Sequence, residues 1–136
     1  MADYDYKAGK QRLEEILDND MEIVEQDKLP NDDDFTFTNG YYSWVSAIFV
    51  DMRDSTVLCA DEDKEKSAKV FRSFSSEIIE ILRDDDNLRE IGIRGDCVYA
   101  VYTNPKQADV FETANKCFYV NTFMKMLNQL FREHDL

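Results

Sequence analysis

Histidine is almost absent from this chain of 136 residues: the single one, His134, stands next to the C-terminal end of the sequence. Zinc sites built on several histidines are thereby excluded, as are Ser-His and Cys-His catalytic triads, which need an imidazole held inside a site. No G-x-x-x-x-G-K-[ST] run is present to cradle phosphates in the P-loop manner. No apolar run approaches the ~18 residues of a membrane span, and the opening Met-Ala-Asp-Tyr-Asp-Tyr lacks the basic and apolar regions of a secretory leader, so a cytoplasmic location is expected. The three cysteines, Cys59, Cys97 and Cys117, are odd in number and show no C-x-x-C spacing. They imply no disulfide framework and are expected as small buried thiols in a reducing compartment. Basic residues are scarce as well: 16 against 29 acidic ones, a formal charge of −13. Such a surface repels polyanions and anionic lipid, so nucleic acid and membrane are not expected as partners. A metal-bridged nucleotide stays compatible, because bound cations reverse the local sign of an acidic site.

What is there suffices for one folded domain, since 43% of the residues are hydrophobic. Residues 7–19 place Leu13, Ile16 and Leu17 at helical spacing, and the stretch from Asp27 to Gly40, rich in Asn, Asp and Pro, reads as a loop. Residues 1–40 are thus taken as an N-terminal helix and acidic loop, and 41–136 as the main domain. Residues 41–51 (YYSWVSAIFVD) read as one strand buried on both faces and ending at Asp51. Asp54 or Ser55 then caps a short helical turn through Cys59. Asp61 is expected to cap a long helix carrying Val70, Phe71, Phe74, Ile78, Ile81 and Leu82.

Residues 88–103 form two strand-like pieces meeting at Arg94-Gly95-Asp96, a hairpin that presents Asp96 at its tip. Asn104-Pro105 reads as an N-cap and first helical position. The helix beyond, to about Phe131, is expected to bury Val110, Phe111, Ala114, Cys117, Phe118, Phe123, Leu127 and Leu130.

A hydrophobic strand ending in one carboxylate beside a hairpin bearing another holds two Asp residues at one edge of a sheet. Paired hard anionic ligands suit Mg²⁺ or Mn²⁺, which take their remaining oxygens from water and phosphate. Two such ions ~3.5–4 Å apart activate an attacking oxygen and neutralise a leaving group. The segment Met52-Arg53-Asp54-Ser55-Thr56 runs from strand into helix start, where free N–H groups favour an anion such as a triphosphate, and Arg53 adds a positive charge if it turns inward. Taken singly, Asp54, Ser55 and Thr56 also read as helix caps, Asp51 as a cap and Asp96 as a turn residue.

Phe49-Val50-Asp51-Met52-Arg53-Asp54-Ser55-Thr56 resembles the F-x-D-h-x-x-x-T motif of class III adenylate and guanylate cyclases, and Ile93 to Val101 resembles their second motif, a G-D at a hairpin tip. The resemblance spans about residues 41–132. It implies an α+β, ferredoxin-like (palm) fold, an antiparallel sheet covered by helices. It further implies that Asp51 and Asp96, with the Met52 carbonyl, bind two divalent metal ions, and that the amides from Arg53 to Thr56 hold the β- and γ-phosphates. By the same resemblance the active site forms in a homodimer, and a later helix supplies an Asn and an Arg. The resemblance also implies further strands beyond the third long helix, and neither these nor that later helix has a counterpart before Leu136, so this chain is expected to be the N-terminal, metal-binding part, catalysing poorly or not at all alone.

Three residues before the hairpin glycine, where the family reads a purine with Lys or Glu, stands Gly92. Strand alternation points Gly92 and Arg94 where Asp96 points, and sends Ala47 and Phe49 to the face of Asp51, so Arg94 and the backbone near Phe49 become candidates for base contact, with a solvated hairpin charge the alternative for Arg94. The changed base position and the acidic extension resemble the bacterial Pycsar antiphage cyclases. That implies a pyrimidine substrate, UTP giving cUMP or CTP giving cCMP with UTP preferred, and a product read by a separate cyclic-nucleotide-gated effector. The competing classes are an adenylate or guanylate cyclase, a diguanylate-cyclase-like or polymerase-palm enzyme, and a non-catalytic acidic protein that mimics nucleic acid. The hairpin reads R-G-D-C-V-Y and not G-G-D/E-E-F, and a mimic would not place Asp51 after an apolar strand.

Overall fold

The computed structural model describes residues 2–60 and 62–136 and divides into two compact units, Met1–Ser43 and Trp44–Leu136. In the first, helix α1 (Tyr6–Asp18) is capped by Asp5, whose carboxylate accepts from the N–H groups of Lys7 and Ala8 at 3.0 and 3.1 Å. Strands β1 (Glu22–Glu25) and β2 (Asn39–Tyr42) pair in parallel, joined through a loop with one 3₁₀ turn at Asp32–Asp34. The sequence hides both strands: β1 is four residues long, and every one of them is exposed, so no apolar alternation marks it.

The second unit is an antiparallel sheet of three strands in the order β3-β5-β4, with three helices. β3 (Val45–Asp51) is followed by α2 (Ser55–Cys59) and α3 (Lys64–Arg83), then by the hairpin β4 (Leu88–Arg94) and β5 (Cys97–Thr103), and last by α4 (Gln107–Glu133). The strand expected over 41–51 is therefore two strands. Tyr41 and Tyr42 pair with β1, whereas Trp44 turns the chain into the other sheet and accepts the Asn104 N–H at 2.8 Å.

One face of the sheet is core. Ile48, Val98, Ala100 and Tyr102 meet Phe74, Ile78 and Leu82 of α3 and Val120, Phe123 and Leu127 of α4. The opposite face is exposed, with Phe49 65% accessible, which corrects the expectation of a strand buried on both sides. The long helix follows its apolar steps as expected. Its N-cap is Asp63, accepting from Lys66 N–H at 3.0 Å, while Asp61 lies outside the described residues.

α4 departs further from expectation. It begins at Gln107 after Lys106, whose N–H reaches Asp109 at 3.1 Å; Asn104 is buried instead, accepting from the Thr113 hydroxyl at 3.1 Å. Its inward residues are Thr113, Lys116, Val120, Phe123 and Leu127, so Val110, Phe111, Ala114, Cys117, Phe118 and Leu130 point outward. The inward Lys116 pairs with Asp85 at 2.8 Å, and that partner, remote in sequence, sets the helix rotation against the apolar count. Cys59 and Cys117 are exposed and Cys97 half-buried, so the three are not the buried thiols the sequence suggested. Among the described residues no helix is long and apolar enough to cross a membrane.

Tyr102 is fully buried, its hydroxyl donating to the Leu82 carbonyl at 2.5 Å. Burial first, and the nearby Asp85 carboxylate second, raise its phenol far above the usual range. The folded protein keeps the proton where the unfolded chain loses it, so this contribution is intact below about pH 10 and declines as pH rises further. Tyr102→Phe is expected to flatten the alkaline limb of stability against pH, measured by urea unfolding between pH 8 and 11. An unchanged limb would refute the assignment.

Candidate active site

The end of β3 and the tip of the β4–β5 hairpin meet because the two strands pair along their whole length. Asp51 lies opposite Cys97, and the Met52 N–H donates to the Asp96 carbonyl at 3.1 Å. Gly95 takes φ 59, the left-handed start that a two-residue hairpin with glycine first requires, and Asp96 follows it at the corner. The two carboxylates expected to act together are thus brought to one end of one sheet.

Each carboxylate has a local partner. Ser55, the first residue of α2, donates its hydroxyl to Asp96 Oδ2 at 2.5 Å across 41 positions of sequence. Cys97, paired across the ladder from Asp51, donates its thiol to the Val98 carbonyl at 3.7 Å; burial first and the Asp51 carboxylate second raise the thiol above its usual range. Each Asp keeps further lone pairs, since an ionised carboxylate accepts at about four sites. Among the described residues no three His, Cys, Asp or Glu side chains converge as a metal cage. Two exposed or half-buried hard carboxylates nevertheless fit Mg²⁺ or Mn²⁺, ions bound through one or two carboxylates plus the oxygens of a phosphate substrate.

The connection after Asp51 is the expected strand-to-helix turn, its short helix ending at Cys59 as expected, with one correction. Asp54 occupies the N-cap position in the left-handed region, φ 55, and its side chain caps nothing; its carbonyl accepts from Val57 and Leu58 at 3.0 and 3.3 Å. α2 is also only five residues long, so its dipole is small and the attraction for an anion rests on the N–H groups that any helix start leaves without intrahelical partners. Ser55, Thr56, Gly95 and Asp96 line an open depression of about 530 Å³, floored by Phe71. Asp51, Met52 and Arg53 also border a mostly apolar cavity of about 520 Å³ lined further by Val70, Phe74 and Phe131. Met52 is half-buried against the core, and Arg53 is exposed.

Gly92, Arg94 and Asp96 do not all point one way. Alternation holds only within the strand, and the reversal at Gly95 takes the Asp96 carboxylate to Ser55. Gly92 and Arg94 lie instead on the open face, across from Tyr99 and Cys97. Phe49, Tyr99 and Gly92 form one row across the three strands, and Asp51, Cys97 and Arg94 form the next. Phe49 therefore shares the face of Asp51, as the sequence indicated. Tyr99 escaped the sequence reading, although its alternation with Val98 and Ala100, both facing the core, was there to assign it outward.

No family model matches the chain. It is similar to a protein named uridylate cyclase from Treponema porcinum, 51% identical over 133 residues, which make up 98% of this chain and 46% of that protein. A second uridylate cyclase, from Gulbenkiania mobilis, is 31% identical over 135 residues, 96% of this chain and 52% of the relative. The chain spans about half the length of the curated relatives it matches. The similarity to these uridylate cyclases thus extends along nearly the whole sequence.

Proposed function

We propose that this chain is the metal-binding half of a uridylate cyclase, an enzyme that converts UTP to 3′,5′-cyclic UMP and pyrophosphate. One observation carries the reading: Asp51 and Asp96 meet at one end of the sheet in a chain 51% identical to a protein of that name. A pair of divalent cations, when bound, supplies the charge that activates the ribose 3′ oxygen and steadies the departing pyrophosphate. Asp51 and Asp96 hold them, with the Met52 carbonyl beside; Ser55 fixes the rotamer of Asp96 through its hydroxyl. The amides from Arg53 to Thr56 receive the β- and γ-phosphates, and the Arg53 side chain adds positive charge. The 3′ oxygen then bonds to the α-phosphorus as the bond to the pyrophosphate oxygen breaks, and positioning of the two in line is what the protein contributes.

The ferredoxin-like cyclase fold, a homodimer closing over the open face, and a cyclic-nucleotide-binding effector reading the product in antiphage defence complete the proposal. Supporting the dimer, Val45 and Phe49 on that face are at least half exposed. The test is to incubate the full-length protein with each of the four NTPs, with Mg²⁺ or Mn²⁺ and with chelator, and to identify products by mass spectrometry. The expected result is cUMP above all other cyclic nucleotides, abolished by chelator. Dominant cAMP or cGMP would refute the uridylate reading, and no cyclic product together with no metal-dependent nucleotide binding would refute the cyclase reading.

A further inference from the structure

Helix α1 carries its charges the wrong way round for a helix standing alone. Lys7 lies in its first turn and Glu15 and Asp18 in its last, with no acidic residue in the first and no basic one in the last, whereas the helix dipole favours the reverse. A length of 13 residues and the glycine at position 9 weaken it further. Its apolar side chains face water: Tyr6 is 80%, Leu13 58% and Leu17 78% exposed. Together with Lys10 they follow one another at steps of four, three and four residues, the spacing of a coiled-coil seam. Each feature destabilises the lone helix, and one arrangement removes them together.

We infer that α1 pairs antiparallel with α1 of a second copy of this chain along the seam Tyr6-Lys10-Leu13-Leu17. Lys10 decides the direction. Parallel pairing in register would set Lys10 against the partner's Lys10, two like charges in one layer. Antiparallel pairing sets Lys10 against the partner's Leu13 and Leu17 against the partner's Tyr6, so the lysine stem covers leucine while its ammonium stays with Glu14 of its own helix at 3.2 Å. The flanking positions agree. Lys7 comes beside the partner's Glu14, twice by symmetry, whereas parallel pairing leaves Glu14 beside the partner's Gly9. The basic first half of each helix, with Lys7, Lys10 and Arg12, then lies along the acidic second half of the other, with Glu14, Glu15 and Asp18, which offsets the unfavourable dipole charges. Two helices of this length bury less surface than a stable interface needs. The pair therefore forms inside the homodimer of the proposed function, on which the inference rests, where the second contact is effectively intramolecular.

The experiment uses the full-length protein with the exposed Cys59 and Cys117 changed to Ser. On that background, Tyr6→Cys protein and Leu17→Cys protein are mixed, left to exchange subunits and mildly oxidised, and the disulfides are located by mass spectrometry. The expected result is a link between position 6 of one copy and position 17 of the other, formed in the mixture roughly tenfold faster than either variant links to itself, since only nearby Cβ atoms can be bridged. Lys7→Glu, which suits the lone helix better, should nevertheless slow that link about fivefold. Adding Glu14→Lys should restore it. Sedimentation of the same samples reports the homodimer separately. A dimer whose variants link only to themselves, or do not link, or whose Lys7→Glu loss is not recovered by Glu14→Lys, overturns the inference and leaves the homodimer standing. A monomer at every concentration overturns both.

Discussion

Asp51→Ala and Asp96→Ala are each expected to lower cyclic nucleotide synthesis by the full-length protein roughly a thousandfold, the equivalent of about 4 kcal/mol of transition-state stabilisation. Neither carboxylate lies in the core: Asp51 is exposed and Asp96 half-buried at the hairpin corner, so both variants should melt within a few degrees of the native protein. The two should be almost non-additive, because removing either leaves the metal pair without one of its anchors. Ser55→Ala is the graded control. Its hydroxyl orients Asp96 without serving as an anchor, so a smaller loss is expected, accompanied by weaker Mg²⁺ affinity that added metal partly restores. Near-native turnover in either aspartate variant would remove the metal assignment; normal metal affinity in Ser55→Ala would remove only the orienting role.

The largest expected effect on stability lies away from the site. Lys116 and Asp85 pair at 2.8 Å with side chains only 11% and 7% exposed, and the Lys116 ammonium lies 5.4 Å from the Tyr102 ring centroid. Asp85 also accepts from the Asn87 N–H at 2.8 Å, so it holds the loop between α3 and β4 as well as α4. Asp85→Ala leaves an ammonium buried without its partner and is expected to cost about 3–5 kcal/mol, a large part of the about 5–15 kcal/mol that holds a domain folded. Adding Lys116→Met to Asp85→Ala should recover much of that loss, since the stranded charge goes and the helix face becomes apolar. Urea unfolding of the native, single and double variants checks both statements. A cost below about 1 kcal/mol for Asp85→Ala, in the range of an exposed pair, would refute the role given to this pair.

The elements that local pattern can encode were legible. α3 appears where Phe74, Ile78 and Leu82 recur every four residues, and all three are buried. The hairpin appears where Gly95 permits a left-handed turn between two apolar runs. The two aspartates were legible for the same reason, since each sits at a fixed offset from a strand end and its neighbours in sequence mark it. Misreadings fall where the deciding partner is remote. The expected single strand over 41–51 splits because β1, a strand with no apolar alternation, claims Tyr41 and Tyr42. The rotation of α4 follows from Lys116 and Asp85, 31 positions apart, and no count of apolar residues along one helix registers a lysine made tolerable by a distant carboxylate.

By itself, then, the sequence determined the α+β alternation, the placing of the two carboxylates and the glycine at 92, because these are properties of short segments whose side-chain period and turn chemistry act locally. Tertiary structure alone decided that Asp96 turns to Ser55, that only one face of the sheet is buried, and that Tyr99 lies over Gly92 in the grip of Glu90. Those facts depend on which strands pair and in what register, and register is a property of several segments at once: a shift by one residue would put Tyr99 in the core and leave Gly92 facing open space.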